Sequence, residues 1–420
     1  MLRRAFVLLL GTLALAGCGG GYGGYGPRGF GGYGGPPVPL GAGVPIGAGP
    51  TGQRVAILLP LSGPRADLGQ MLLHAAQLAL DGPGAPPLDA KDTGGTPEGA
   101  AAAAQSAIAE GAGLILGPLT SPETAAVAPV ARGANVAVLA FTNDPQQAQP
   151  GVWTLGITPS QQVRRLVAAA QAQGKSQFAA LLPDNDFGHA LGRALEQATS
   201  GSGLGSPNVR FHAAGMASIN ATARDLSDYA NRRGPIDAQI RAARALGTPD
   251  GRRQAQDLAK TSIPPPNFNA LLLGDTGEAL AEVAAVLPYY DVDRSAVQML
   301  GPALWASTSS GSGQLPGAWY AAPDTAARGN FEQTYSAKYG SGPSPVADLA
   351  YDAASIARVL AGQGFSVGAL TQSAGYVGAD GWFALLSDGQ VRRALAVFAI
   401  ERGGPQMVEP APQSGNVPGA

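Results

Sequence analysis

The sequence predicts an α/β protein built on doubly wound parallel sheets, and three observations predict it. Short, unbroken apolar runs alternate with segments of helical period through residues 55–140. The same alternation restarts after Gly156. The chain of 420 residues, 45% of them hydrophobic, is long and apolar enough for two to three lobes with real cores. Taken in order, Val55-Ala56-Ile57-Leu58-Leu59 has no polar alternation and is closed by Pro60, as a strand covered on both faces requires. Leu68, Met71, Leu72, Ala75, Ala76 and Ala79 then share one helical face. Strands at 88–92, 114–116 and 136–140 follow, with helices at 97–110 and 121–132 between them. Such a β-α-β-α-β-α-β succession implies right-handed crossovers and ligand sites beyond the carboxyl ends of the strands. After Gly156 come a helix at 161–173, a strand at 178–182, a helix at 188–199, and strands at 209–213 and 270–273. An Arg-rich helical insertion, 224–260, separates the last two. Residues 298–323 hold two short strands, and helices follow near 330–339 and 345–360. Asp388-Gly389 between the apolar runs of 382–402 is a hairpin signal. From Pro405 onward the chain reads as disordered.

Composition excludes several function classes. The net charge is −2 and only 13% of residues are charged, so no nucleic-acid partner is expected. One Cys and three His exclude a disulfide scaffold and a Cys/His zinc site; neither metal nor cofactor is expected. There is no G-x-S-x-G elbow. Gly174-Lys175-Ser176 ends like a phosphate-binding loop, but Ala169 stands where its first Gly belongs. His74, His189 and His212 are scattered, and each reads as an ordinary surface or core residue. The protein is therefore expected not to be an enzyme.

The first residues speak of export. Arg3 and Arg4 precede an apolar run to Leu15, too short to span a bilayer. Leu15-Ala16-Gly17-Cys18 resembles a bacterial lipobox. That resemblance implies a signal peptide at 1–17 and lipidation of Cys18, the only Cys in the chain. Gly at position 19, where Asp signals inner-membrane retention, implies the outer membrane. Residues 19–52 contain sixteen Gly and six Pro and no acidic group. They read as a tether with a mean reach of about 30 Å and a full stretch of about 110 Å. The G-x-G-x-x-G matches inside it follow no strand and carry no nucleotide site.

Val55 to Pro64 (VAILLPLSGP), Gly117-Pro118-Leu119-Thr120-Ser121, Pro183-Asp184-Asn185-Asp186-Phe187-Gly188 and Tyr351-Asp352-Ala353 resemble, in order and spacing, the type I periplasmic binding proteins of the leucine- and amide-binding family. Within it the chain is most similar to the bacterial lipoproteins known as penicillin-binding protein activators. The resemblance covers about 350 residues. It implies two doubly wound parallel-sheet lobes joined by three crossovers, with a ligand cleft between them. The segments would be the signal (1–17), lipidated Cys and linker (18–52), lobe 1 (53–157 plus 301–370), lobe 2 (158–300 plus 371–408) and a disordered tail (409–420).

The resemblance also implies site residues. A bound amino acid needs hydroxyl and N–H donors for its carboxylate and an acidic partner for its ammonium. Ser121, and Ala140 with Thr142, match the family's carboxylate positions. Ser121 before Pro122 and Glu123 equally reads as a helix N-cap, and Thr142 as a strand end. Asp275 and Glu278, in Gly274-Asp275-Thr276-Gly277-Glu278, match the loop of the ammonium partner. Glu278 reads equally as a first-turn carboxylate favoured by the helix dipole. Phe187 stands where the family often has Tyr; it can stack but cannot donate a hydrogen bond. Ser62 in the first strand–helix loop is a further ligand candidate. The leading expectation is an extracytoplasmic solute-binding lipoprotein whose cleft closes on a small amino-acid- or amide-like ligand, for an ABC permease or a sensor. The alternative is a lipid-anchored activator of a penicillin-binding protein.

Overall fold

The computed structural model describes residues 54–306 and 315–412 together with the dipeptide Val38–Pro39. Cys18, the signal, most of the linker and the last eight residues lie outside the described residues. Along the chain, β1 (Val38–Pro39) precedes β2 (Arg54–Leu59), α1 (Ala66–Ala79), β3 (Leu88–Asp92), α2 (Pro97–Ala109), β4 (Ala112–Leu116), α3 (Ser121–Gly133), β5 (Ala137–Ala140) and β6 (Val152–Thr154). Strands β3-β2-β4-β5-β6 form an all-parallel sheet. Its inner strands β2, β4 and β5 are apolar after Arg54 because both faces are covered, whereas the edge strand β3 is mostly polar and only partly buried. Val55, Ile57 and Leu59 face one core cluster, and Ala56 and Leu58 face another with Ala100, Ala104, Val127 and Ala131.

The second lobe repeats the scheme with α4 (Pro159–Ala172), β7 (Phe178–Pro183), α5 (Asp186–Gly201), β8 (Asn208–His212), α6 (Met216–Leu226), α7 (Tyr229–Ala245), α8 (Pro249–Ala259), β9 (Ala270–Leu273), α9 (Gly277–Val286), β10 (Gln298–Gly301) and β11 (Trp319–Ala322). The chain then runs through α10 (Thr325–Tyr339), α11 (Ala347–Leu360) and α12 (Val367–Leu370), which pack on the first lobe's core. It ends with β12 (Tyr376–Gly378), β13 (Gly381–Leu385), β14 (Val391–Arg393), β15 (Ala396–Glu401) and β16 (Gly404–Glu409). The second sheet has the order β16-β15-β11-β10-β9-β7-β8, and its β15 and β16 are antiparallel. Strands β1-β12-β13-β14 form a third, small sheet. Tyr376, Phe383, Leu385 and Val391 belong to the first lobe's core, whereas Trp382 and Ala384 belong to the second lobe's. One thin sheet thus serves both cores.

Several expectations need correction. The return to lobe 1 expected at 301 falls after Ala322, because β11 pairs with β10 and β15. The passage to lobe 2 expected at 371 falls near 395, because residues 376–393 build the third sheet. The chain after Pro405 is not featureless: β16 pairs with β15, and Glu409 receives Arg165 Nη1 at 3.0 Å. Its polar, Pro-containing sequence becomes a strand only because an edge is there to pair with. The hairpin at Asp388-Gly389 is present, with Leu386 N–H donating to the Gln390 carbonyl and Gly389 at φ +89°.

Three segments join the lobes: residues 155–158, 323–324 and 394–395. A buried charge cluster fastens them. Arg393 Nη2 donates to the Leu155 carbonyl at 2.9 Å and Nη1 lies 3.4 Å from Asp380. Arg328 Nε donates to Asp348 at 2.6 Å, and Asp352 accepts from Ala379 N–H at 2.6 Å. Arg165 Nε donates to the Leu395 carbonyl at 2.7 Å.

Candidate functional site

Loops beyond the strand ends of the two large sheets carry the expected residues. In the first lobe Asp92, ending β3, accepts from Leu61 N–H at 2.9 Å, Ser62 N–H at 3.2 Å and Gly94 N–H at 2.8 Å. Its carboxyl is held below the ordinary range, first by the Ser62 hydroxyl and then by Gly94 N–H. Ser62 is exposed and engaged with this carboxylate.

Ser121 is not the cap of α3. Thr120 takes that position, and its side chain and Glu123 form a capping box. Glu123 is fully buried and also accepts from Thr93 Oγ1 at 2.6 Å. Capping is therefore done without Ser121, which leaves its hydroxyl for another partner. That partner is Asp144: Ser121 Oγ donates to Asp144 Oδ2 at 2.5 Å. Asp144 N–H in turn donates to Thr142 Oγ1 at 3.1 Å. Gln146 N–H at 2.9 Å and Gln147 Nε2 at 3.2 Å complete the donors around this carboxylate. Burial alone would raise the Asp144 pKa, but the bonds from Ser121, Gln146 and Gln147 hold it below its ordinary value. Ala140, the last residue of β5, is fully buried and its carbonyl accepts from Leu155 N–H at 2.8 Å. Ser121 and Thr142 do converge, but on a residue of the chain itself: Ser121 on the Asp144 carboxylate and Thr142 on the Asp144 N–H.

In the second lobe, the ends of β7, β8 and β9 enclose a cavity of about 370 Å³ whose lining includes Phe187, His212, Asp275, Thr276 and Leu304. Asp275 is buried, and its Oδ2 lies 3.1 Å from His212 Nε2. The Asp275 carbonyl accepts from Trp305 Nε1 at 2.9 Å, fixing the loop from below. Burial pulls the His212 pKa down, but the Asp275 hydrogen bond, the Ala213 carbonyl and the Asp275 charge outweigh it, and the net shift is upward. Gly274 sits where a Cβ would come 2.8 Å from Pro183 Cδ, so strand end and loop approach closely. Glu278, in the first turn of α9, is exposed and makes no ion pair among the described residues, and it does not line this cavity. Thr276 stands at the cap position of α9 without a side-chain bond. His212 and Asp144 were not among the residues expected. Asp144 had a signal in Asp144-Pro145, an Asp-Pro turn start; His212 had none, since its partner lies 63 residues away. Among the described residues no group of three or more His, Cys, Asp or Glu is placed to hold a metal ion, and no helix is long and apolar enough to cross a membrane.

Two α/β lobes joined by three segments define a protein of the two-lobed binding type. The periplasmic binding protein family model matches residues 52–405, and the chain belongs to that family. The family is a solute-binding fold and implies an extracytoplasmic location. An uncharacterised protein of Rickettsia prowazekii is 22% identical over 178 residues, 42% of this chain and 48% of that one, so the match spans about half of the relative. Among solved structures, a putative branched-chain amino acid ABC transporter from Rhodospirillum rubrum is 19% identical with a TM-score of 0.64, covering 85% of this chain and 100% of that one. The C-domain of LpoA from Haemophilus influenzae, a regulator of PBP1A, is 18% identical with a TM-score of 0.59, again covering 85% and 100%. LivJ from Streptococcus pneumoniae, in complex with isoleucine, is 15% identical with a TM-score of 0.51, covering 86% and 100%. At these identities the likeness is one of fold.

Proposed function

We propose that this chain is a non-enzymatic, lipid-anchored extracytoplasmic binding module that regulates a cell-wall synthase of the penicillin-binding class, rather than carrying a free amino acid to a permease. The observation that carries this reading is the 2.5 Å bond from Ser121 to Asp144. A ligand carboxylate placed at Ser121 and Thr142 would meet a fixed like charge that already takes the Ser121 hydrogen bond, which disfavours it. The likeness to the PBP1A-regulating LpoA domain supports the choice of partner, and Cys18 with its long tether supports the anchor and the outer membrane. In calorimetry on the full chain, a panel of α-amino acids is expected to give no saturable response. Asp144→Ala frees Ser121 Oγ and Gln146 N–H, and is expected to raise the affinity for carboxylate ligands by about tenfold or more. Submillimolar binding of an amino acid by the unaltered chain would overturn the reading. Crosslinking in cells separates the partners: capture of a penicillin-binding protein supports regulation, and capture of permease subunits supports transport.

A second reading has its own observation. Phe187 and the buried Asp275 both line the second-lobe cavity, a lining suited to a small amine or amide without a carboxylate. Under that reading the module is a receptor for such a solute, with the ABC permease as partner. Binding of an amine or amide that Asp275→Asn abolishes would favour it.

A further inference from the structure

A second, larger cavity lies away from the strand ends. It encloses about 530 Å³ between the outer sides of α4 and α5, and Pro145 and Gln390 close it from the loop after β5 and from the β13–β14 turn. Its lining contains two arginines, Arg164 and Arg193, and no Asp or Glu. Arg164 is half-buried, and its Nε is shut off from solvent with no hydrogen-bond partner. Neither Arg164 nor Arg193 belongs to any ion pair among the described residues, and neither does Arg392 on β14, whose charge acts on Arg164. Burial and the charge of Arg392 both pull the Arg164 pKa down. Of the carboxylates on the elements around it, Asp144 is committed to Ser121, Gln146 and Gln147, Asp388 to Gln390 N–H at 2.9 Å, and Glu196, three residues beyond Arg193 on α5, is exposed and outside the lining. A half-buried guanidinium with an unused, shielded donor and a second cation acting on it is relieved when an anion enters, and Arg193 lines the same space.

From this geometry we infer that the cavity is a binding site for a phosphate ester. A carboxylate offsets one guanidinium, whereas a phosphate carrying close to two negative charges matches the two in the lining, and its several acceptor oxygens suit forked donors. The volume exceeds what a bare phosphate fills and lies within the range of small-molecule sites. Ser160, Gln197, Ser202 and Gln390 supply polar groups for a hydroxylated organic body. Because Pro145 follows a first-lobe strand while α4 and α5 belong to the second lobe, the occupant touches both lobes and favours the arrangement that brings them together. The same chemistry is offered by a soluble sugar or glycerol phosphate and by a phospholipid headgroup.

The test uses the full chain at pH 8 and fixed ionic strength. Glycerol 3-phosphate and glucose 6-phosphate are titrated by calorimetry, malonate serves as the dicarboxylate control, and phosphatidic acid vesicles are used in sedimentation. A saturable response to the soluble phosphates, weakened by about tenfold in Arg164→Gln and in Arg193→Gln, is expected for a soluble ligand. Vesicle binding lost in the same variants, without response to the soluble esters, assigns the site to a headgroup. Arg193 is exposed, so its variant folds whatever happens to Arg164→Gln; Arg164→Lys, which keeps the charge but not the fork, is expected to fall between. No response to either source, equal binding of malonate, or responses unchanged in Arg193→Gln would overturn the assignment.

Discussion

Arg393→Met is expected to destabilise the protein by about 3–5 kcal/mol at pH 7, the range for removing one partner of a buried ionic cluster. Arg393 is 4% exposed, and it faces Asp380 while donating to the Leu155 carbonyl. Its guanidinium also lies 5.0 Å from the centre of the Phe383 ring, a packing contact that Met retains in part. What Met cannot supply is charge. Asp348, Asp352 and Asp380 would then share Arg328 alone, with Asp352 fully enclosed. The bond to Leu155 also ties the third inter-lobe segment to the first, so its loss loosens the junction as well as the core. Urea denaturation measures the effect. The loss should shrink as pH falls below about 7, where the raised Asp348 and Asp352 carboxyls hold protons instead of standing unpaired. A change under about 1 kcal/mol at pH 7 would mean that the cluster does not depend on Arg393.

Stability is expected to fall as pH rises from 5 to 9, and Asp352→Asn should remove much of that fall. Burial first, and then the charge of Asp380, push Asp348 from 3.8 up to about 8 and Asp352 up to about 7. Arg328 opposes this at Asp348 through its 2.6 Å bond. Three carboxyls facing two guanidiniums retain a proton near neutrality, a property of the cluster rather than of one residue. The unpartnered Oδ1 of Asp348 and Oδ2 of Asp352 are the places for it. The sign follows from linkage. A carboxyl whose folded pKa is raised stabilises the fold fully below about pH 4, and that contribution is lost as pH climbs through about 7 to 8. One proton held over that interval is worth on the order of 4 kcal/mol. His212, also shifted upward, adds a loss of the same sign, so the informative quantity is the difference between variant and parent. Asp352→Asn keeps an oxygen for Ala379 N–H and carries no charge. It should be near neutral in effect at pH 5 and stabilising at pH 8.5. Equal melting shifts at both pH values would rule out a titrating Asp352.

Both predictions concern residues whose importance no local pattern announces. Tyr351-Asp352-Ala353 counted as a match to the family, yet its Asp turns out to be a buried member of the inter-lobe junction. By contrast, β2 and α1 were readable at once. Their apolar residues recur at the spacing that puts Ile57 on one sheet face, Leu58 on the other, and Leu72, Ala75, Ala76 and Ala79 under α1. The insertion at 224–260 was equally plain and forms α7 and α8. The site was legible only as positions. Ser121 and Thr142 do lie beyond strand ends, but whether they receive a ligand depends on Asp144, 23 residues from Ser121 in the chain. Asp275 stands in a recognisable loop string, whereas His212, the partner that gives it a setting, reads in the sequence as an ordinary core or surface residue.

Periodicity and composition were enough to define a Gly- and Pro-rich segment followed by parallel α/β lobes, because each is written in spacings of two to four residues or in bulk residue usage, and the likeness to a binding-protein family was carried by short strings of adjacent residues. The third sheet shared by two cores, the strand made from a Pro-containing tail, the carboxylate lodged among the presumed ligand donors and the unpaired arginines of the side cavity came from folding. Each is a meeting of segments distant along the backbone, and no pattern within a segment records which distant group will arrive beside it.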